Sequence, residues 1–363
     1  MEHESHFEVN RTDITQHRVV ESVPRELDDG QIRISVERFA VTANNISYAV
    51  SGDLLGYWDF FPAEHPWGRL PAMGLGSVVE SAHPDIDLGG RYFGFYPMSD
   101  QLVVSARAKR NGFGDVGAHR ADHASVYTSF EDVTSDPFFV PDRADEFLLL
   151  RGLFMTSFLQ ADQLEDLDFH GAEQTLVTSA SSKTSIALAM CLRRAGRQSI
   201  GLTSAANRSF VESLGLYDRV ISYDEISELD PTTPSGMVDM AGNAAVRAAV
   251  HGQFADVLTF SSSIGATHHT EMGGAGDLPG PKPEFFFAPA QIAKRTKDWG
   301  ADEVASRIGA ALGEFIDDAP RWLTVVHRAG PDGMAEVYDN VVSGTADPSV
   351  GYIVSMQPHP FEG

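Results

Sequence analysis

The chain has 363 residues, more than one hydrophobic core usually covers, so two domains are expected. Its 51 acidic and 27 basic residues give a net charge of −24, spread without a long single-sign block. Nucleic acid and an anionic membrane both require a positive face, so neither is expected as a partner. Cys191 is the sole cysteine, which excludes an intrachain disulfide and a cysteine-based structural zinc site. The opening Met1-Glu2-His3-Glu4-Ser5-His6 is polar and acidic, unlike a secretory signal or a transit peptide. No stretch approaches the roughly 18 apolar residues of a spanning helix, so a cytoplasmic, reduced protein is expected.

From residue 7 to about 140 the pattern is short strands punctuated by turns. Residues 18–22 and 31–39 alternate apolar and polar, with Asp28-Asp29-Gly30 marking a turn between them. Residues 43–52 open polar and continue as a short helix, and an aromatic loop with Tyr57, Trp58, Phe60 and Phe61 follows. Residues 71–81, 90–97 and 102–105 read as further strands, and many short strands with Gly/Pro turns suggest a small barrel. Residues 109–141 read as a cap or loop insertion. Its His119 and His123 would share one helix face, either as metal ligands or as surface histidines.

Residues 145–164 are apolar at helical spacing and lead into the second domain. The pattern then alternates: strand 174–178, helix 185–194, strand 199–203, helix 206–214, strand 219–222, segment 237–240, helix 243–251 and strand 257–263, closed by residues 285–287. That order predicts a parallel, doubly wound sheet. Residues 301–315 form an amphipathic helix, and 322–327 with 351–356 read as strands returning to the first domain. The domain boundaries are 1–147, 148–290 and a C-terminal return, 291–363.

The first βα turn is the informative stretch. A strand meets a loop of small polar residues, Ser179, Ser181, Ser182, Lys183, Thr184 and Ser185, which feeds straight into a helix closed by Gly196. A helix starting there aims backbone N–H groups and its positive dipole end at the loop, favouring an anionic ligand. Strand, tight loop, helix and second strand make the first unit of a dinucleotide-binding fold.

Small barrel, dinucleotide fold and return to the barrel, in this order, resemble the medium-chain dehydrogenase/reductase superfamily, and within it the zinc-free quinone oxidoreductase and enoyl reductase branch. Tyr48-Ala-Val-Ser51-Gly52 resembles the Tyr-x-x-Ser-Gly segment of that branch. Gly74-x-Gly-Ser-Val-Val-Glu80 and Gly89-Gly-Arg-Tyr-Phe-Gly94 resemble its paired glycine turns. Residues 175–196 resemble its first βα unit, and Val238-Asp-Met-Ala-Gly-Asn243 its fourth-strand segment. Tyr338-Asp-Asn-Val-Val-Ser-Gly344 and Gly351-Tyr-Ile-Val resemble its last helix and strand. The resemblance implies an α/β protein with a GroES-like barrel and a Rossmann domain. One departure stands out: where the family carries a run of glycines, this loop has Ser182, Lys183 and Ser185. Hydroxyls and an ammonium would then replace bare backbone at the pyrophosphate.

The resemblance also implies a cofactor and a chemistry. The second strand ends in Thr203 and Ser204, then Asn207 and Arg208, with no carboxylate to hold a ribose 2′-hydroxyl. Hydroxyls and an arginine suit a 2′-phosphate, so NADPH is expected, although Arg208 also reads as an exposed helix charge. Tyr223 and Asn243 stand where the family contacts the nucleotide, although Tyr223 also reads as core packing, and Ser261 and Ser262, at a strand's carboxyl end, would border the nicotinamide. Without a Tyr-x-x-x-Lys pair or zinc-binding cysteines, the expected reaction is hydride transfer to an enone, enoyl compound or quinone. Tyr48 would donate to the carbonyl oxygen or act as the acid, with Asn44 and Asn45 assisting; a barrel-core tyrosine is the other reading. Tyr57, Trp58, Phe60 and Phe61 would wall a flat pocket for a small apolar, carbonyl-bearing substrate; they read equally as barrel packing or a subunit contact. His268, His269 and Glu271 read as a polar loop, or as a metal or proton-relay cluster. A homodimer is expected. A non-catalytic protein of the same fold, binding a nucleotide or a protein partner, remains the alternative.

Overall fold

The computed structural model describes residues 3–240, 242–264 and 278–357. The chain divides into two compact units, Met1–Leu149 with Leu323–Gly363, and Leu150–Trp322. The first unit holds β1 (Glu4–Asn10), β2 (His17–Ser22), β3 (Gln31–Val41), α1 (Ala43–Val50), α2 (Gly52–Leu55), β4 (Trp67–Gly68), β5 (Pro71–Ser81), β6 (Arg91–Pro97), β7 (Gln101–Lys109), β8 (Gly112–Asp115), α3 (Ser125–Thr128) and β9 (Ser129–Asp132). The helix α4 (Ala144–Asp166) carries the chain into the second unit, which adds β10 (Gln174–Val177), α5 (Lys183–Arg194), β11 (Gln198–Thr203), α6 (Arg208–Leu214), β12 (Arg219–Ser222), β13 (Ser235–Asp239), α7 (Ala244–Phe254), β14 (Leu258–Ser263), β15 (Glu284–Phe285), α8 (Ala288–Trp299) and α9 (Ala301–Asp318). The first unit is completed by β16 (Thr324–Ala329), α10 (Gly330–Val342) and β17 (Val350–Ser355).

In the first unit, β3, β5, β6, β9, β8 and β7 pair in that order and β7 pairs back onto β3, closing a six-stranded barrel. The strands β17 and β16 extend the sheet from β3, and β2, β1 and β4 form a separate three-stranded sheet. Ile32, Ile34, Val36, Val104, Phe113 and Phe130 fill the interior, the last two stacked at 4.9 Å. Trp58 is buried in the same core. The chain passes it at Gly52 and Gly68, where any Cβ would lie within 2.2 and 2.3 Å of the indole, so both positions require glycine.

Three expectations change here. The strand β2 pairs with β1 and not with β3, so Gly30, at φ 78°, turns the chain between two different sheets. The segment 109–141 is no insertion: it supplies β8 and β9, two of the six barrel strands. Four-residue strands are too short to show an alternation, and only Phe113 and Phe130 mark their buried faces. The C-terminal return begins at Leu323, because α8 and α9 belong to the second unit.

The second unit is a parallel sheet in the order β12-β11-β10-β13-β14-β15, with its own core of Leu176, Ile200, Leu202, Ile221, Met237 and Val250 among others. This is the Rossmann strand order. Successive crossovers run outward one way from β10 and the other way from β13, so a crevice opens at the carboxyl ends of those two strands. The fold is thus α/β, a GroES-like barrel plus a Rossmann sheet. Among the described residues no helix is long and apolar enough to cross a membrane.

Two buried histidines make stability depend on pH. His6 has its Nδ1 3.0 Å from the Ser99 hydroxyl and its Nε2 3.2 Å from the Ser22 hydroxyl, and burial lowers its pKa to about 4. His251 faces the Pro279 carbonyl through Nδ1 at 2.9 Å, so that nitrogen carries the hydrogen, and Nε2 accepts from Ser261 at 3.0 Å. Burial lowers its pKa as well. Both rings bind a proton less readily folded than unfolded, so their contribution is intact above about pH 6.5 and is lost as the pH falls below it. The melting temperature should drop between pH 7 and pH 4, and His6→Gln should lessen that drop. An equal drop in His6→Gln would contradict the assignment to His6.

Candidate functional site

The corner between β10 and α5 is held by hydroxyl groups. Ser182 caps α5: its Oγ accepts from the Ser185 N–H at 3.2 Å and donates to the Ser185 hydroxyl at 2.9 Å. Ser185, fully buried, donates in turn to the Thr178 carbonyl at 2.9 Å. Both hydroxyl hydrogens are therefore used inside the loop, which corrects the expectation that Ser182 and Ser185 donate to a phosphate. Ser179 adopts φ 49°, the left-handed conformation that a glycine would take without strain. Tyr217 donates to the Ala180 carbonyl at 3.1 Å, and Ser157, on α4, donates to the Thr184 carbonyl at 2.7 Å. At Gly201 a Cβ would stand 3.0 Å from both Ala180 and the Tyr217 ring, so β11 approaches the loop by lacking a side chain. Ser181 accepts from the Asn207 amide at 3.1 Å, which ties the loop to the segment after β11.

Across the switch point the loop is fastened to the end of β13. Thr178 donates to Asp239 at 2.9 Å and accepts from the Met240 N–H at 3.0 Å, while the Gly242 N–H donates to Asp239 at 3.0 Å. Arg247, on α7, pairs with Asp239 at 3.4 Å with both side chains buried. Thr178, Tyr217, Asp239 and Arg247 organise the corner and were not singled out from the sequence. Only the Thr178 hydroxyl and the Asp239 carboxylate at strand ends hinted at it.

The remaining nucleotide candidates divide. Thr203 is buried at the end of β11, and Ser204 follows it half-buried. Arg208 is not open: Nε donates to Glu212 at 2.9 Å, and Nη1 donates to both Glu225 oxygens at 2.8 and 2.7 Å. Glu225 belongs to a capping box on Ser222, and that cap with Arg208 lowers its pKa to about 2. The Ser222-Tyr-Asp-Glu225 spacing is legible as such a box. Tyr223 packs against the second unit's core. Asn243 caps α7, accepting from Ala245 and Val246. Ser261 donates to His251, and Ser262 donates to the buried Gln160 at 2.8 Å, so both hydroxyls serve the core. His268, His269 and Glu271 lie outside the described residues.

In the first unit, Tyr48 lies on α1 and stacks on Tyr57 at 4.4 Å, with Tyr127 in edge contact with Tyr57 at 6.2 Å. Phe60, Phe61 and Phe95 complete the cluster. Of the readings open for Trp58, the structure bears out barrel packing. Burial, and less strongly the neighbouring Tyr127, push the Tyr48 pKa up, and burial does the same for Tyr57. Under the cluster lies Arg120, 1% exposed, with its guanidinium 4.9 Å from the Phe60 and Phe61 rings. It donates to the Phe60 and Tyr127 carbonyls at 3.2 and 2.6 Å and faces Asp115 at 3.6 Å. Asn45 is buried, donating to the Pro71 carbonyl at 2.8 Å and accepting from the Thr42 N–H at 2.7 Å. Both ends of its amide hold the fold, which corrects its expected catalytic part. Asn44 is half-buried one residue earlier. His119 lies 3.9 Å from Asp115, and His123 packs edge-on against Phe60 at 4.3 Å. Among the described residues no group of three or more His, Cys, Asp or Glu could hold a metal ion.

Ser182→Ala and Ser185→Ala should each lower stability by about 1 kcal/mol, the usual cost of a lost cap or buried hydrogen bond. Ser204→Ala, away from this network, should leave the melting temperature unchanged. Equal stability in all three would show that the hydroxyls do not hold the corner.

No curated protein matches the chain. Solved structures do. CurA from Vibrio vulnificus in complex with NADPH is 11% identical, with a TM-score of 0.61, covering 97% of this chain and 99% of its own. The yhdH oxidoreductase from Salmonella enterica in complex with NADP is 16% identical, with a TM-score of 0.57, covering 98% and 100%. The quinone oxidoreductase from Coxiella burnetii is 12% identical, with a TM-score of 0.55, covering 98% and 99%. At these identities the likeness is one of fold alone. A family model matches residues 39–347, most of the chain. The chain therefore belongs to the family described as "Protein of unknown function (DUF2855)".

Proposed function

We propose that this chain is an NADPH-dependent, zinc-independent oxidoreductase that reduces an activated double bond, in an enone or enoyl compound, or a quinone. The observation that carries the reading is the β10–α5 corner at the switch point of a Rossmann sheet. There a helix N-terminus, with Lys183 in its first turn, meets a loop whose shape is fixed by its own hydroxyls. With the Ser185 N–H capped, the Thr184 N–H has no acceptor within its helix, and the dipole favours an anion at this end. The residues fit a pyrophosphate, since Ser182 and Ser185, two of the side chains standing in for glycine, bond to the loop itself. Ser179, Ser181, Lys183 and Thr184 would hold it. Thr203, Ser204, Asn207, Arg208 and Tyr223 would hold the adenosine end, and the absence of a carboxylate on Thr203 and Ser204 favours NADPH.

When bound, the nicotinamide supplies a hydride to an electron-poor carbon. Tyr48 would donate a hydrogen bond to the carbonyl oxygen on which negative charge collects. Its raised pKa keeps the phenol neutral, so it serves as a donor more readily than as a proton source. Tyr57 and Tyr127, half-buried against the buried Phe60 and Phe61, offer flat aromatic surface that suits a small conjugated substrate. The end strand β15 pairs only with β14 among the described residues, and Phe287 beyond it is 52% exposed, which supports a homodimer through that edge.

Purified protein mixed with NADPH should show a melting or fluorescence shift, and Lys183→Ala should weaken it. Tyr48→Phe should keep the shift and slow turnover on the order of 10²-fold, the usual cost of losing one oxyanion donor. No shift with NADPH or NADH at millimolar concentration would remove the reductase reading and leave a non-catalytic protein of the same fold. Normal turnover in Tyr48→Phe would remove only the role of Tyr48. Light scattering should give twice the 39.4 kDa chain mass; a monomer would remove the dimer.

A further inference from the structure

Arg208 stands where the second strand's loop would meet a 2′-phosphate, and its guanidinium is already occupied. Glu225, from the loop after β12, places both carboxylate oxygens within 2.8 Å of Nη1, and Glu212 takes Nε from one helical turn away. Two carboxylates and one guanidinium leave a local charge of −1, which opposes a phosphate of charge about −2. The neighbouring stretch of chain does not relieve this. Residues 200–230 contain Arg208 and Arg219 as their only cations, against Glu212, Asp218, Asp224, Glu225, Glu228 and Asp230. Arg219 opens β12, at the end of the strand away from that loop.

Glu225 is held in place independently of Arg208. Its Oε2 accepts the Ser222 N–H at 2.9 Å, and its residue is the third of the helical turn that Ser222 caps. The carboxylate is thus fixed by the backbone of one loop and reaches across to the arginine of the next. It is an internal anion in the position where an external one would bind.

Building on the nucleotide reading above, we propose that Glu225 is a specificity-determining residue that competes with the cofactor's 2′-phosphate for Arg208. NADPH must displace the carboxylate from the guanidinium, whereas NADH, with a free 2′-hydroxyl, need not. The contribution of Arg208 to NADPH binding is therefore held below what an unpaired arginine would give, and the two nucleotides bind more nearly alike.

The test is a cycle of wild type, Glu225→Gln, Arg208→Ala and the double variant, each titrated with NADPH and with NADH at one ionic strength. Glutamine serves the same position in a capping box, so Glu225→Gln keeps the turn while removing the charge. The cap's survival is read from an unchanged melting temperature. Glu225→Gln should tighten NADPH by about three- to fivefold, the range of an exposed ion pair, and leave NADH within twofold. In the Arg208→Ala background the same change should do nothing, because the competitor acts only through that arginine. An unchanged NADPH affinity, equal tightening of both nucleotides, or an effect that persists without Arg208 would overturn the role of Glu225 while leaving the reductase reading intact. Failure of all four proteins to bind either nucleotide would overturn both.

Discussion

The second unit depends on how β10 hands the chain to α5. Relatives of this fold manage that corner with glycines, whose freedom lets the backbone turn tightly beside an anion. Here the turn is made by a relay of hydroxyls, from Ser182 to Ser185 to the Thr178 carbonyl. Each bond fixes a conformation that glycine would merely permit, so the loop is ordered before any ligand arrives. The relay also explains the tiny residues in this stretch. A larger group at 185 would have no room in a fully buried position, and one at 201 would meet Ala180 and Tyr217. Because Thr178 also donates to Asp239, the loops after β10 and β13 are fastened together. Asp239 is buried, yet its charge is met by Arg247 and by backbone and hydroxyl donors, the condition under which a buried carboxylate is tolerated.

The first unit solves a comparable problem in reverse. Arg120 places a cation among aromatic rings, where desolvation lowers its pKa to about 10. Asp115, two backbone carbonyls and the faces of Phe60 and Phe61 compensate. Because the two carbonyls belong to Phe60 and Tyr127, the guanidinium locks together the two segments that carry the tyrosine cluster. Tyr48 is then supported from beneath by Tyr57, itself set by this lock. Side chains so constrained suit a task in which a donor must be aimed before charge develops.

Much of this was legible in the sequence, and the reasons for success and failure are physical. The Rossmann alternation from residue 174 to 263 was readable because strands and helices differ in period and each is long enough to show it. Strands β8 and β9 were not, since four residues give two alternations, and pairing across the barrel, not local pattern, makes them strands. The hydroxyl loop was recognised, but the direction of each hydroxyl was not. Serine bonds to its own backbone as readily as to a ligand, and only the folded geometry shows which acceptor lies near. Asn45 shows the same limit: its oxygen closes the capping box of Thr42 and its amide nitrogen reaches the Pro71 carbonyl, a partner no local pattern announces. Glu225 is the converse case: its capping-box spacing is visible in the sequence, while its partner Arg208, 17 residues earlier, is not.

The composition gives these particulars a common cause. With 51 carboxylates for 27 lysines and arginines, an arginine in this chain folds among more anions than it can bind. Arg295 meets Asp162, Asp166 and Asp298, Arg33 meets Glu4 and Glu80, and Arg208 meets Glu212 and Glu225. Arg295 and Arg33 are buried, whereas Arg208 is partly exposed, and there salt and water screen each pair so that the pairing costs little. Its consequence appears only where a cation is wanted for something else. An anionic ligand then binds a guanidinium at the expense of a carboxylate already there, and the free energy of recognition is the difference between two similar interactions. Backbone N–H groups at a helix N-terminus escape this competition, because side-chain carboxylates of the same fold reach them only through caps, and here the cap is a neutral serine. In so acidic a chain, a helix end capped by a neutral serine is therefore a stronger anchor for an anion than a guanidinium already paired with carboxylates.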